Sequence, residues 1–112
     1  ARLTQIDYDR EMALVLEPQP GELLGVVRIA CDPDNTRAEF AVIVRSDLKG
    51  RGLGRLLMER IIDYARARGV GEIRGDILRE NTGMLALARE LGFHIEDDPE
   101  TREVVGARLA LR

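Results

Sequence analysis

Cysteine, aromatic residues and long hydrophobic runs are all scarce in this sequence. Cys31 is the only cysteine and there is a single histidine, so neither an internal disulfide nor a zinc site is expected. No apolar run approaches the roughly 18 residues needed to span a bilayer, and residues 1–20 lack the basic start and apolar core of a secretion signal. We therefore expect a cytoplasmic protein with no metal and no membrane partner.

The charge pattern argues against a nucleic-acid partner. The 17 basic and 20 acidic residues give a net charge of -3, and the two signs are interspersed along the chain. Aromatic residues make up 4%, with no tryptophan, so the chain lacks a set of rings on which bases could stack. With 45% hydrophobic residues in 112, the sequence predicts one compact domain over residues 1–112.

The hydrophobic pattern predicts alternating strands and helices after an irregular lead-in at residues 1–11. Helical stripes follow residue 53 and residue 81, and Gly69 and Gly92 suit the two helix ends. Residues 38–44 are apolar at nearly every position, so we expect both faces of that strand to be covered. The remaining strands are predicted at residues 12–16, 23–30, 72–78 and 102–111. This order indicates an α/β (α+β) fold with a mixed sheet whose N-terminal strands are antiparallel.

A glycine-rich turn lies between the strand at 38–44 and the first helix. Gly50, Gly52 and Gly54 would leave backbone N–H groups open at the positive end of that helix, which suits a phosphate or diphosphate. Lys49, Arg51 and Arg55 add positive charge nearby. On the three glycines alone, an ordinary flexible loop is the alternative interpretation.

Two nucleotide-binding motifs fit this turn poorly. The phosphate loop of nucleotide hydrolases needs Gly-Lys-Ser/Thr after four spacer residues, and the sequence has none. A dinucleotide fingerprint starting at Gly50 would need glycine where Arg55 stands, although Asp76 lies about 20 residues further on, where a ribose-binding acid is found. The dinucleotide interpretation stays open.

Two motifs in order resemble the GNAT superfamily of acyl-CoA-dependent N-acyltransferases. Its first signature, Gln/Arg-x-x-Gly-x-Gly/Ala, is matched by residues 49–54, with Lys49 in the first place. Its second, an Asn that opens a helix ending in Leu-Gly-Phe, is matched by residues 81–93. The resemblance implies an acetyl-CoA-dependent N-acetyltransferase with a GNAT-like mixed sheet.

Residues 4–13 and 38–50 are similar to the acetyltransferase domain of bacterial Pat-type protein lysine acetyltransferases. That resemblance implies a protein lysine acceptor, for example on a metabolic acyl-CoA synthetase, and an attached acyl-CoA synthetase-like region. Family members begin with a strand and one or two helices on the acceptor side. We expect the chain to start after these, with a truncated N-terminal region, as a fragment of a larger protein.

Glu39 is the candidate catalytic base, because it is the only acid within the apolar strand and matches a family glutamate. An acceptor amine is protonated at neutral pH, so a carboxylate must take its proton, and partial loss of hydration would make Glu39 a better acceptor. From the pattern alone, a solvent-facing strand glutamate is about twice as probable as a base.

The resemblance also assigns the cofactor contacts. Backbone near Val42, Ile43 and Val44 would pair with the pantetheine arm, and the turn would hold the diphosphate. Asn81 would contact coenzyme A. The alternative role is that of a helix N-cap, and one residue can serve in both roles. The diphosphate contacts expected in the turn are Lys49, Gly50, Arg51, Gly52, Leu53, Gly54 and Arg55.

Other candidates favour structural roles. Many relatives have a tyrosine acid where Ala88 stands, and neither Tyr8 nor Tyr64 can be assigned to that role from the sequence. Cys31 and His94 lack an established partner for nucleophilic catalysis. Two other functions stay open: an acyl-CoA-binding regulatory module without catalysis, and a small-molecule amine acetyltransferase.

Overall fold

The computed structural model describes residues 2–17, 25–44 and 52–111, and within them it has seven strands and two helices. One sheet contains all seven strands in the order β1-β2-β3-β4-β5-β7-β6, and only β4 and β5 are parallel neighbours. The predicted mixed sheet is confirmed. In chain order the elements are β1 (Arg2–Asp7), β2 (Glu11–Glu17), β3 (Gly25–Cys31), β4 (Arg37–Val44), α1 (Leu53–Ala67), β5 (Glu72–Leu78), α2 (Thr82–Glu90), β6 (His94–Glu96) and β7 (Val104–Ala110).

Two strands were not predicted. The interpretation of residues 1–11 as an irregular lead-in is wrong, because residues 2–7 form β1 and pair antiparallel with β2 from Arg2↔Glu17 to Asp7↔Met12. An edge strand buries little, and only Leu3 and Thr4 in β1 are half-buried, so its alternation in the sequence is weak. The short β6 was also missed. The start of the strand predicted at residues 23–30 lies outside the described residues.

Both helices pack on one face of the sheet, which we call the helix face. There α1 contacts β3 and β4, and α2 contacts β6. Alternate strand residues meet the buried Leu57, Met58 and Ile61 of α1. The buried strand residues on this face include Met12, Leu14, Val27, Ile29, Ala38, Phe40, Ile73, Ile77, Val105 and Ala107.

The opposite face, which we call the open face, is not covered by either helix. Glu39, Ala41 and Ile43 of β4 lie on it and are exposed, and the Ile43 side chain is 69% exposed. The expectation that both faces of this strand are covered is therefore wrong. A run of apolar residues predicts burial on both sides of a strand only when an element covers each side. Within the described residues, β4 is covered on the helix face alone.

The predicted helix ends are confirmed. Gly69 and Gly92 have φ angles of 77° and 98°, and the N–H of the residue after each donates to a carbonyl five residues earlier. This turn brings Val70 and Phe93 back into the core. Neither helix in the described part of the chain is long and apolar enough to cross a membrane.

Candidate acetyl-CoA site

Strands β4 and β5 separate part-way along their length and form a fork. They pair only at Arg37↔Glu72, Ala38↔Ile73 and Glu39↔Arg74, although β4 continues to Val44 and β5 to Leu78. Each arm is held by its other neighbour, because β4 pairs with β3 as far as Val44 and β5 pairs with β7 as far as Leu78. The fork is therefore a fixed opening between two paired strands. Within residues 2–17, 25–44 and 52–111, the β4 arm presents backbone N–H and C=O groups that have no partner strand on that side.

A close backbone approach marks the base of the fork. A Cβ atom added to Gly75 of β5 would lie 2.6 Å from the Phe40 carbonyl oxygen and 2.7 Å from its ring carbon Cε1. The Phe40 ring is buried on the helix face and packs edge-on against Phe93, with ring centroids 5.6 Å apart. Gly75 thus leaves room for Phe40 where the strands begin to diverge.

The open end of the fork lies beside the N-termini of both helices. Since β4 and β5 are parallel, their carboxyl ends lie at one edge of the sheet, and α1 and α2 begin shortly after those ends. The crevice outside the carboxyl ends of parallel strands is the usual ligand position in open α/β sheets. The two helices also touch there, because a Cβ on Gly54 would lie 3.4 Å from the side chains of Met84 and Leu87.

The first turn of α1 is open to an anion. Gly52 caps the helix in the left-handed region with φ 76°, and the first turn holds no acidic residue. Among the described residues, no side chain caps the first N–H groups of the helix. A Cβ on Gly52 would meet no atom of the described residues within 4 Å. In the part of the chain that the structure describes, the positive end of the helix dipole therefore has no group that would compete with a bound anion. The predicted contacts Lys49, Gly50 and Arg51 lie outside the described residues.

The structure places the other predicted contacts of the turn around this helix start. Leu53 and Gly54 are half-buried in the first turn of α1. Arg55 is exposed, and its guanidinium forms an ion pair with Glu90 at the end of α2. Arg55 is therefore already engaged by a carboxylate, which the sequence prediction did not include.

The backbone of Val42, Ile43 and Val44 forms the far part of the β4 arm. Val42 points to the helix face and is half-buried, whereas Ile43 points to the open face. Asn81 directly precedes α2, and its Oδ1 accepts a hydrogen bond from the Met84 N–H at 3.1 Å. The N-cap role of Asn81 is therefore present in the structure.

Glu39 occupies the last paired position before the fork opens. Its side chain lies on the open face and is exposed, so the expected partial loss of hydration is wrong. Its side chain is exposed because neither helix covers the open face. Among the described residues the Glu39 carboxylate has neither a hydrogen-bond nor an ion-pair partner, which leaves it available to a ligand or water.

A cavity of about 420 Å³ lies on the open face beside Glu39. Its charged lining also includes Arg74 and Asp76 from β5, Glu96 from β6 and Arg108 from β7. Arg108 Nε donates to Glu96 Oε1 at 2.7 Å, and this hydrogen bond lowers the pKa of the Glu96 carboxyl below its ordinary value.

These cavity residues were not singled out from the sequence. In β5 the polar residues Glu72, Arg74 and Asp76 alternate with Ile73, Gly75 and Ile77, a period-two pattern that would have assigned the polar set to one face. What the pattern could not supply is the pairing of β5 with β7, which brings Arg108 opposite Arg74.

The remaining candidates lie away from the fork or are buried. Cys31 is buried against the C-terminal part of α1, and burial raises the pKa of its thiol, which disfavours the reactive thiolate. Burial also raises the pKa of Tyr64, whose ring lies beneath the Arg68 guanidinium at 5.4 Å. Ala88 is buried in α2, and His94 is exposed at the start of β6.

Comparison with known proteins identifies the family of this chain. Residues 1–93 match the family model described as the acetyltransferase (GNAT) family. The chain is 36% identical over 113 residues to acetyltransferase PA5475 of Pseudomonas aeruginosa, covering 98% of the chain and 61% of that protein. The chain therefore spans about 61% of the length of this relative.

Two solved structures share the fold. The GNAT domain of PAT from S. lividans superposes with a TM-score of 0.75 at 24% identity, covering 94% of this chain and 64% of that one. YncA from Salmonella typhimurium, described as a putative acetyltransferase with its cofactor acetyl-CoA, gives a TM-score of 0.71 at 26% identity, covering 91% and 65%. From the family match and the identity to PA5475, the chain belongs to the GNAT family of acetyltransferases.

Proposed function

We propose that this protein binds acetyl-CoA in the fork between β4 and β5 and transfers its acetyl group to a primary amine. The observation that supports this most directly is the fork itself, because its unpaired β4 edge can form strand-like hydrogen bonds with the amides of the pantetheine arm. Val42, Ile43 and Val44 would provide this edge.

The start of α1 fits the diphosphate of the same molecule. Gly52, Leu53 and Gly54 offer uncapped N–H groups and no acidic side chain, and Arg55 adds a positive charge once it leaves Glu90. The preceding Lys49, Gly50 and Arg51 complete the proposed contact set. Asn81 would use its amide NH₂ group toward coenzyme A, while its Oδ1 remains bonded to Met84 N–H.

The proposed chemistry has three parts. Glu39 takes a proton from the ammonium of the acceptor, directly or through a water molecule, and so frees the nitrogen lone pair. The nitrogen then forms a bond to the thioester carbonyl carbon, and a β4 backbone N–H polarises the carbonyl oxygen. The C–S bond then breaks, and the nitrogen loses its second proton to the departing thiolate or to water, which leaves the amide and the free thiol of coenzyme A. A thiol has a pKa of about 8.5, so the thiolate leaves without a dedicated acid at Ala88.

For the acceptor we propose a protein lysine side chain, with a metabolic acyl-CoA synthetase as the partner. The resemblance of residues 4–13 and 38–50 to Pat-type enzymes supports this, and an attached synthetase-like region and a cytoplasmic location belong to the same proposal. The exposed cavity beside Glu39 is also open enough for a small-molecule amine, which we keep as the second candidate.

A transfer assay with labelled acetyl-CoA tests this function. The purified protein is incubated with a lysine peptide, a folded acyl-CoA synthetase and a set of small amines, while acetyl-CoA binding is measured in parallel. We expect binding and amine-dependent acetylation, and transfer by E39Q at neutral pH slower by roughly a hundredfold or more. The control is E59Q, which removes the same charge from an exposed position on α1.

The outcomes separate the possible functions. Tight binding without transfer to any amine would favour a regulatory module instead. Full activity of a correctly folded E39Q would remove Glu39 from the mechanism, and a failure of acetyl-CoA to bind would contradict the proposal as a whole.

A further inference from the structure

Five charged residues form an alternating ladder across the open face. Glu72 joins Arg37 at 3.2 Å through Oε2 and Arg108 at 3.4 Å through Oε1. Arg108 continues to Glu96 at 2.7 Å, and Glu96 reaches Arg74 at 4.0 Å through its other oxygen. The ladder thus runs from Arg37, on the paired part of β4, to Arg74 at the fork.

Arg74 is the weakly held end of this ladder. Its 4.0 Å contact with Glu96 is too long for a hydrogen bond, whereas Arg108 donates hydrogen bonds to both Glu96 and Glu72. The hydrogen bond from Arg108 is the largest cause of the lowered pKa of Glu96, so Glu96 interacts mainly with Arg108. A guanidinium has five N–H donors, and among the described residues no acceptor takes one from Arg74.

The position of Arg74 adds a second constraint. Arg74 lies directly across from Arg108 on β7, and two like charges in a cross-strand pair are unfavourable unless anions compensate them. It also lies beside Glu39 in the parallel register, at the point where the strands separate. Both arginines contact the Glu96 carboxylate, but Arg108 also bonds to Glu72, so Arg74 has the weaker compensation of its charge in a cavity that reaches the proposed base.

We propose that Arg74 binds a carboxylate of the acceptor, next to the amine that Glu39 deprotonates. This inference rests on the proposed acetyltransferase function and concerns which amines it accepts. The acceptor would then carry both charges close together, with the ammonium at Glu39 and the carboxylate at Arg74. Such a carboxylate comes either from a free amino acid or from an acidic residue next to the acceptor lysine in a protein.

Matched acceptors test this inference and distinguish the two sources. One pair is alanine and alaninamide, and the other is a capped peptide containing Asp-Lys and its Asn-Lys counterpart. For each pair, kcat and KM are measured at one pH with saturating acetyl-CoA, and the carboxylate-to-amide ratio of kcat/KM is compared between wild type and R74Q. Comparing ratios cancels the differences in amine basicity.

We expect the ratio to fall about tenfold to a hundredfold in R74Q for the pair that matches the natural source, mainly through KM. R37Q is the matched control, because it removes the same charge from the other end of the ladder and should leave the ratio within about twofold.

An equal ratio in R74Q and wild type for both pairs would overturn the inference while leaving the acetyltransferase function intact. An equal drop in R37Q would also overturn it, since the effect would then belong to the net charge of the face. If the wild type acetylates none of the four acceptors, the inference fails for both sources, and acetyl-CoA binding in the same samples shows whether the proposed function fails with it.

Discussion

The helix face and the open face are built from the same strands, and alternate residues of each strand go to opposite faces. The helix face buries a continuous set of aliphatic side chains under α1 and α2, and no buried residue in the described part of the chain is polar or charged. The open face has exposed and half-buried charges on β4, β5, β6 and β7 that form a ladder, and three of these charged residues line a cavity. A strand period of two residues therefore separates what stabilises this protein from what can bind a ligand.

The fork is where the two faces meet. Phe40 and Gly75 pack on the helix face, whereas Glu39 and Arg74, each one residue earlier, lie on the open face. We therefore expect the packing of Phe40 against Gly75 on the helix face to influence how far β4 and β5 separate at the fork. Substitutions on the helix face should change mainly the stability, and substitutions on the open face should change mainly ligand binding. Substitutions at the fork should change both.

The largest effect on stability is expected from the helix face. Ile61 of α1 is fully buried, so Ile61→Ala should lower the free energy of unfolding by about 2–5 kcal/mol, from lost burial and the cavity left behind. Urea denaturation measures this change. The KM for acetyl-CoA should stay the same wherever the variant is folded, because Ile61 does not line the fork.

Leu56 provides the control on the same helix, because its side chain is 36% exposed. Leu56→Ala should cost clearly less than Ile61→Ala. Equal losses from the two variants would mean that the two faces of α1 contribute alike and would contradict the assignment of the core.

Gly75→Ala should combine a stability loss with a change in ligand binding. The added methyl group would overlap the Phe40 carbonyl oxygen at 2.6 Å and the ring at 2.7–2.8 Å, so backbone or ring must move. Overpacking of this kind costs about 1–3 kcal/mol. Because the shift occurs at the base of the fork, we also expect a higher KM for acetyl-CoA.

Gly106→Ala is the matched change on the neighbouring strand β7. A Cβ there would meet Glu96 atoms at 3.7 Å, an ordinary contact, so both stability and KM should change little. If Gly75→Ala were as mild as Gly106→Ala, the spacing of the fork would not depend on the contact between Gly75 and Phe40.

How much of this could be predicted from sequence differs between the two faces. The helix face was largely predictable, because Leu57, Ile61 and Ala88 follow a helical stripe and the strands are apolar and β-branched. The edge strand β1 was missed because an edge strand needs little burial, and the pairing that defines it is remote in sequence.

The site was predictable where a local motif defines it. The uncapped start of α1 at Gly52 and the cap at Asn81 follow from a few consecutive residues. The fork could not be predicted, because it depends on where pairing between β4 and β5 stops. The ladder could not be predicted either, since Arg74 and Arg108 are 34 positions apart and meet only through β-pairing.

The smallest effect is expected at Asn81, where a structural role and a proposed binding role can be separated. Its Oδ1 accepts the Met84 N–H, so Asn81→Ala should cost about 1 kcal/mol of stability through loss of the cap. Asn81→Ser keeps an oxygen able to cap the helix but loses the amide NH₂ group. If that group contacts coenzyme A, the serine variant should keep its Tm while its KM for acetyl-CoA rises by about twofold to tenfold. If Asn81 is only a cap, the serine variant should match the wild type in both measurements, because a hydroxyl caps a helix about as well as an amide oxygen does.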